Sequence, residues 1–176
     1  ELAGLPYVGA AVLASAIGMD KAAMKDMFRA HGLPVVDYLV VKRHEWRRDP
    51  AAVERAVAEA IGFPCFVKPA NLGSSVGISK VKAPEDLAAA LALAASHDRR
   101  VLVERAVQGR EVEVAVLGND EPQASVPGQV CFAREWYDYE TKYGAGHTTF
   151  KVPAPLGPEV TLLVRELAIR AFKAID

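Results

Sequence analysis

The chain has 176 residues, of which 51% are hydrophobic, and its 21 Lys and Arg residues nearly balance its 22 Asp and Glu residues. High apolar content at low net charge excludes an intrinsically disordered protein, and the lack of a dense basic run argues against a nucleic-acid-binding protein. No stretch of about 18 uncharged apolar residues is present, so no membrane-spanning helix is expected.

The two ends of the chain predict a fragment of a longer protein. Residues 2–19 are mostly small or apolar, but they do not match a signal peptide, because the chain begins at Glu1 without a basic segment and Pro6 interrupts the apolar run. At the other end the chain stops at Asp176, directly after a helix-like run that has no cap. We therefore expect that both ends continue in the complete protein.

Helix and strand patterns follow one another without strict alternation. Asp20 is a candidate cap for a helix over 21–31, and Asp49 and Pro50 open a second helix that ends near Ala60. Further helices are expected to begin at 84 and 158. Predicted strands lie at 35–41, 63–68, 78–81, 101–104, 111–117 and 123–126. This order predicts an α+β fold with mixed or antiparallel sheets covered by helices, and it disfavours a doubly wound nucleotide fold.

A lysine closes one predicted strand, and a polar loop that contains glycine follows it. Lys68 precedes the segment 71–77, Asn-Leu-Gly-Ser-Ser-Val-Gly. Such a loop can direct backbone N–H groups and hydroxyls at phosphate oxygens, and Lys68 can neutralise phosphate charge. The loop is not a P-loop, since that motif is absent. A β-hairpin with a flexible tip and an exposed lysine is the alternative that these residues leave open.

A short connector joins two predicted strands between Glu104 and Glu111. Backbone groups of such a connector can bind an adenine base, and a carboxylate can accept hydrogen bonds from ribose hydroxyls. The alternative is that the two residues are exposed acids at strand ends.

Residues 134–149 combine aromatic and charged side chains with glycine and show no clear period. This segment contains Lys142 and three tyrosines, at positions 137, 139 and 143. A loop of this composition is typical of a lid over a site. An aromatic surface patch is the alternative interpretation.

The cysteines and histidines do not indicate a metal site. Cys65 and Cys131 lack a Cys-x-x-Cys partner, and the histidines have no metal-ligand spacing, so no residue is assigned to a metal. Two cysteines are also too few for a disulfide framework, and we expect both as reduced thiols in a cytoplasmic protein.

Taken together and in this order, the segments resemble the D-alanine–D-alanine ligase family of ATP-grasp enzymes. The resemblance extends over almost the whole chain. The matching segments are Tyr7-Val8-Gly9, residues 12–16, Met19-Asp20-Lys21, Phe66-Val67-Lys68-Pro69, residues 73–81, Val103-Glu104 with Gly109 and Glu111, residues 114–118, and Tyr137-Asp138-Tyr139-Glu140-Thr141-Lys142-Tyr143.

The resemblance implies a division of the chain. Residues 1–19 would be the tail of an N-terminal domain, and residues 20–111 would be a central ATP-grasp subdomain. Residues 112–176 would begin the C-terminal ATP-grasp domain and would include the lid loop 134–149. Most of the N-terminal domain and the end of the C-terminal domain would lie outside this chain.

The resemblance also implies a reaction. ATP would phosphorylate the carboxylate of one D-alanine, and the amine of a second D-alanine would attack the acylphosphate to give D-alanyl-D-alanine, a peptidoglycan precursor. The implied enzyme is cytoplasmic, uses ATP and Mg²⁺, forms a homodimer, and has no nucleic-acid or membrane partner. The metal ligands are expected beyond Asp176, so the fragment alone is not expected to catalyse.

Roles follow residue by residue from the same resemblance. Lys21 and Lys68 would contact the ATP phosphates, and Ser75 with its loop would cover them. Residues at and after the fourth predicted strand would bind the nucleoside, and three others would act near the transferred phosphate and the first D-alanine. The nucleoside residues are Glu104, Arg105 and Val107 for adenine and Glu111 for ribose, and the catalytic residues are Lys142, Ser74 and Tyr143.

Two alternatives stay open. One is another ATP-grasp carboxylate–amine ligase, although the tyrosine-rich lid favours the first hypothesis. The other is a non-catalytic nucleotide-binding module that ends at Asp176. The reading frame after Asp176 separates the two classes, because an enzyme needs metal ligands downstream.

Overall fold

The computed structural model describes residues 2–132, 136, 142 and 148–175. The chain divides into two compact units. We call residues 19–25 and 35–108 the four-stranded unit, and residues 1–18, 26–34 and 109–176 the three-stranded unit. None of the described helices combines the length and the apolar character that crossing a bilayer requires.

Helices and strands occur in the mixed order that the sequence predicts. The α-helices with described bounds are α1 Val12–Met19, α2 Lys21–Ala30, α3 Arg43–Arg48, α4 Pro50–Ala60, α5 Leu87–His97 and α6 Pro158–Ile175, and a 3-10 helix over Pro84–Asp86 precedes α5. The strands are β1 Tyr38–Lys42, β2 Cys65–Pro69, β3 Ser79–Val81, β4 Arg100–Arg105, β5 Glu111–Glu113, β6 Val116–Leu117, β7 Gln123–Ala124, β8 Gly128–Phe132 and β9 Thr148–Lys151.

The four-stranded unit is built on one antiparallel sheet with the order β1-β4-β2-β3. Successive side chains of a strand point to opposite faces, so each face of this sheet has its own composition. Val67 of β2 and Val103 of β4 lie on the apolar face, where α4 and α5 cover them with Val57 and Leu91. Burying an aliphatic side chain of this size contributes about 1.5–3 kcal/mol. The other face is more polar, and it carries the candidate site.

Helices α4 and α2 begin at capping aspartates that the sequence predicts. Asp49 caps α4, because its side chain accepts a hydrogen bond from the backbone N–H of Ala52 at 3.0 Å, and Pro50 occupies the first turn. Asp20 caps α2 in the same way, with bonds from the N–H groups of Ala22 at 3.1 Å and Ala23 at 3.0 Å. The predicted starts of both helices are confirmed.

The three-stranded unit contains an antiparallel sheet with the order β5-β8-β9 and the separate hairpin β6-β7. Its long helix α6 packs beside the hairpin, where the guanidinium of Arg165 donates to the carbonyl of Ala124 at 2.9 Å. The antiparallel pairing in both units confirms the expected α+β class.

Several local expectations differ from the structure. The predicted strand 111–117 is divided, because residues 111–113 pair with β8 whereas residues 116–117 pair with β7. Helices α1 and α3 were not expected, because neither has a clear apolar period. Strand β9 begins at Thr148, so the last two residues of the predicted lid loop are extended.

Candidate functional site

Glu104 is the centre of the candidate site. It lies near the end of β4, opposite Phe66 of β2 and Tyr38 of β1, so all three side chains occupy the polar face of the sheet. Oε1 accepts from Lys25 Nζ at 2.7 Å, and Oε2 accepts from Lys68 Nζ. Glu104 is only 6% exposed, and it is the one buried charged residue among those that the structure describes. The alternative of an exposed acid is therefore wrong for Glu104.

The two ammonium groups explain why a carboxylate can be buried there. Burial alone raises the pKa of Glu104, because an ionised group loses hydration. The charge of Lys68 and the hydrogen bonds from Lys25 and Lys68 act in the opposite direction and bring the pKa below its usual value. Glu104 is thus ionised at neutral pH and has a cation on each oxygen.

Lys21 lies beside the start of the loop 71–77, which we call the glycine-serine loop. It is the first residue of α2, and Nζ donates to the backbone carbonyls of Pro69 at 3.2 Å, Ala70 at 3.3 Å and Leu72 at 2.6 Å. Burial lowers the pKa of Lys21, and the nearby positive charge of Lys68 lowers it further. The structure thus brings together the two lysines that the resemblance assigns to phosphates.

The glycine-serine loop has an unusual backbone. Leu72, Ser74 and Ser75 have positive φ values of 99°, 55° and 59°, and Gly77 has a φ of 70°. A non-glycine residue in the left-handed region costs about 1–2 kcal/mol, so such a conformation persists only where the surroundings hold it. Two backbone bonds help here, from Val76 N to Gly73 O at 3.1 Å and from Ile78 N to Ser75 O at 3.3 Å.

The connector after β4 is anchored at its start. Arg105 donates from its backbone N–H to the carbonyl of Asp37 at 3.0 Å and from Nε to the Asp37 carboxylate at 3.3 Å. Ala106 N donates to the carbonyl of Pro64 at 3.1 Å. Val107 follows with 65% of its surface exposed. The connector therefore presents an apolar side chain three residues after the buried carboxylate.

The remaining predicted residues belong to the three-stranded unit. Glu111 is exposed and is the first residue of β5, and Lys142 is half-buried. Tyr143 lies outside the described residues. The structure therefore pairs Lys68 directly with Glu104 and places Lys21 within electrostatic range of both. Ser74, Ser75, Arg105 and Val107 lie on the adjoining loop and connector.

Sequence reasoning missed Lys25. The available signal was its spacing of four residues from Lys21, which places both side chains on one face of α2. It also missed Asp98, whose carboxylate accepts hydrogen bonds from the backbone and side chain of Asn71, the first residue of the glycine-serine loop. Among the described residues, no group of three or more His, Cys, Asp or Glu side chains could hold a metal ion.

Comparison with known proteins gives the same assignment as the motifs. Residues 27–176 match a family model described as D-ala D-ala ligase C-terminus. The D-alanine–D-alanine ligase of Geobacillus thermodenitrificans is 48% identical over 176 residues, and that of Heliobacterium modesticaldum is 51% identical over the same number. Each alignment covers 100% of this chain and 48% of the relative. The chain thus spans about half the length of the relatives it matches.

Solved structures share the fold. The VanG D-Ala:D-Ser ligase from Enterococcus faecalis superposes with a TM-score of 0.86 at 33% identity, over 99% of this chain and 50% of that one. The D-alanine-D-alanine ligase from Coxiella burnetii gives a TM-score of 0.77 at 35% identity, over 97% and 44%. The fold is therefore the ATP-grasp arrangement of these ligases, and the chain belongs to the D-alanine–D-alanine ligase family.

Proposed function

We propose that the complete protein containing this chain joins two D-alanines with ATP to form D-alanyl-D-alanine, ADP and phosphate. The observation that carries the proposal is the group formed by Lys21, Lys68 and Glu104 beside the glycine-serine loop. A buried carboxylate next to two partly buried lysines suits a ligand that is polyanionic at one end and has a hydrogen-bonding base at the other.

The nucleotide would be held mainly by the four-stranded unit. Lys21 and Lys68 supply positive charge for the phosphates, and the loop that contains Ser75 covers them. Glu104, Arg105 and Val107 are proposed to line the adenine pocket, where the backbone of the connector binds the base. Glu111 is proposed to accept hydrogen bonds from the ribose hydroxyls.

The chemical step needs activation, because a free carboxylate is a poor electrophile. The carboxylate of the first D-alanine attacks the terminal phosphorus of ATP, and ADP leaves. The amine of the second D-alanine then attacks the acyl carbon, a C–N bond forms, phosphate leaves and the nitrogen loses a proton. We propose that Lys142 stabilises the transferred phosphate, and that Ser74 and Tyr143 bond near the first D-alanine and close the lid.

We also propose the domain organisation, the metal, the oligomeric state and the cellular location of the complete enzyme. Residues 1–19 would end an N-terminal domain, residues 20–111 would form the central subdomain, and residues 112–176 would begin the C-terminal domain with the lid at 134–149. Mg²⁺ would neutralise phosphate charge, with its ligands beyond Asp176. We propose a cytoplasmic homodimer with no nucleic-acid or membrane partner, as the family resemblance implies.

D-Serine is the second candidate for the attacking amine. The structural neighbour from Enterococcus faecalis, at 33% identity, is described as a D-Ala:D-Ser ligase. The four-stranded unit would bind ATP in the same way for either product. The choice between them depends on contacts to the second substrate and is therefore a question for kinetics.

The test is ADP release by the complete gene product with ATP, Mg²⁺ and D-alanine, with L-alanine as the control and D-serine as a competing substrate. D-Alanine-dependent release, with D-alanyl-D-alanine identified by mass spectrometry, would support the proposal. Preferential formation of D-alanyl-D-serine would support the second candidate. A folded protein that binds ATP and forms neither product would be another ATP-grasp ligase or a non-catalytic nucleotide-binding module.

A further inference from the structure

Lys25 makes two contacts that place it beside Glu104, at the candidate nucleotide site. Its Nζ lies 2.7 Å from Glu104 Oε1 and 5.4 Å from the centroid of the Tyr38 ring. The Lys25 side chain is only 12% exposed. A lysine with this little access to water interacts with its protein partners, and a ligand in solution has little access to it.

Lys68 has a different position, although it pairs with the same carboxylate. It bonds Oε2 of Glu104, and its side chain is 23% exposed. Like Lys21, it is proposed to contact a phosphate. The ammonium of Lys68 has three N–H donors, so it can bond a phosphate and Oε2 together, but its single positive charge is then shared between two anions. A buried carboxylate that loses part of its compensating charge is unfavourable.

We propose that Lys25 is a positioning residue for the nucleotide site. It stays on Oε1 and keeps Glu104 ionised and fixed while Lys68 is drawn towards a phosphate. In this arrangement Glu104 holds Lys68 at the site before the nucleotide binds. When the Lys68 ammonium then shifts towards a phosphate, Lys25 keeps the buried Glu104 carboxylate in an ion pair. The inference rests on the proposed nucleotide site and adds to it a residue that does not contact the nucleotide.

A purely structural role for Lys25 makes a different prediction. If its bond to Glu104 only stabilised the fold, removing it would lower the melting temperature and leave the affinity of the folded protein for nucleotide unchanged. The positioning role instead predicts a loss of affinity in protein that is still folded. Nucleotide affinity and thermal stability must therefore be measured on the same samples.

The experiment compares variants in the complete gene product. Lys25→Met removes the charge, Lys25→Gln removes the charge but keeps an N–H donor, and Lys25→Arg keeps both. Lys42→Met is the matched control, because Lys42 pairs with Glu45 at 3.3 Å in the same unit but the two side chains are 56% and 39% exposed. ADP affinity is measured by calorimetry with Mg²⁺, and the KM values for ATP and D-alanine are measured separately.

We expect Lys25→Met and Lys25→Gln to weaken ADP binding and raise the KM for ATP by about tenfold, as for the loss of one charge-assisted contact. The KM for D-alanine should change little, Lys25→Arg should restore most of the affinity, and Lys42→Met should bind as the unaltered protein does. If Lys25→Met fails to fold, Lys25→Gln decides the question.

Two outcomes would overturn the inference alone. In the first, folded Lys25→Gln binds ADP as tightly as the unaltered protein. In the second, Lys42→Met weakens binding as much as Lys25→Gln does. If instead the unaltered protein fails to bind ADP at all, the proposed function itself is wrong, and the inference falls with it.

Discussion

Asp98 accepts two hydrogen bonds from Asn71 on a single carboxylate oxygen, from the backbone N–H at 2.8 Å and from the side-chain amide at 3.1 Å. Its other oxygen accepts from the backbone N–H of Arg100 at 3.2 Å. Asn71 is the first residue of the glycine-serine loop, and Arg100 is the first residue of β4. One carboxylate therefore ties the root of the loop to the strand that carries Glu104.

Asp98→Asn should reduce stability at neutral pH and flatten its dependence on acid. Burial raises the pKa of Asp98, but the hydrogen bonds from Asn71, Arg100 and Arg99 lower it by more, so the pKa lies below its usual value. A carboxyl with a depressed pKa contributes stability above its unfolded pKa of about 3.9, and this contribution disappears as pH falls through the folded pKa. Urea unfolding between neutral pH and strong acid measures the effect.

Asp120→Asn is the control for this experiment, because Asp120 is an exposed residue of the β6-β7 turn. It should retain the acid dependence of the unaltered protein. The same acid dependence in Asp98→Asn would show that the bonds to Asn71 contribute no stability.

Lys68→Ala should lower ATP affinity or turnover by at least about tenfold, the effect of losing about 1.4 kcal/mol of a charge-assisted contact. Glu104 keeps Lys25 in this variant, so the protein should still fold. Steady-state kinetics of the complete gene product measure the change. Lys151→Ala, at an exposed position of β9, is the control. Unchanged kinetics in Lys68→Ala would remove this lysine from the site.

Asp20→Ala should destabilise the protein more than Asp49→Ala. Both residues cap a helix, and losing such a cap costs about 0.5–2 kcal/mol. Asp20 also pairs with Arg100 at 2.7 Å, with side chains 17% and 32% exposed, so its removal leaves a half-buried guanidinium without this partner. Chemical unfolding of both variants gives the difference. Equal losses would mean that the ion pair with Arg100 is neutral in free energy.

Gly77→Ala should disturb the glycine-serine loop, whereas Gly73→Ala should not. A Cβ at position 77 would lie 2.6 Å from a ring carbon of His97 and 2.9 Å from Cγ of Pro69, on a backbone with φ of 70°. The exposed His97 can move aside, but the buried Pro69 ring cannot, so we expect a cost of about 1–3 kcal/mol and weaker ADP binding.

Gly73 provides the matched comparison for that substitution, since a Cβ there meets nothing within 4 Å. Calorimetry with ADP should find the affinity of Gly73→Ala unchanged. If both alanine variants bind ADP equally well, the conformation at position 77 does not matter for the nucleotide.

Tyr143→Phe concerns the lid, which lies largely outside the described residues. The substitution keeps the ring and removes the hydroxyl, which the family resemblance places near the first D-alanine. We expect altered discrimination between D-alanine and D-lactate as the second substrate, measured by competition and product analysis. Identical discrimination would show that the hydroxyl does not set specificity.

The fold could be predicted where the signal is local. Asp20 and the Asp49-Pro50 pair mark helix starts by their own hydrogen-bonding chemistry, and both helices were found. The segment 111–117 shows the limit, because its alternating pattern indicates a strand but not its partner. Residues on either side of Ala115 pair with different strands, and Ala115 bonds Ser125 instead. Partner choice is a tertiary property that one strand does not encode.

The candidate site could be predicted only in part for the same reason. Lys68 and Glu104 were identified from their places at strand ends and from the family resemblance. The burial of Glu104 could not be predicted, because it depends on Lys25 and Lys68, which are distant in sequence and meet Glu104 only when β4 enters the sheet. Local patterns and the family resemblance therefore identified the candidate residues, and the folded sheet determined their environment.

The order of the four-stranded sheet has a consequence for how the protein is made. β4 is the last of its strands to be synthesised, yet it is an inner strand that pairs with β1 on one side and β2 on the other. On the ribosome, β1 and β2 emerge first and must wait for β4, because they do not pair with each other. Such non-local pairing is slow. A nascent chain halted before Arg100 would therefore contain Lys21 and Lys68, which we propose to bind phosphate, but it would lack the strand that joins β1 to β2.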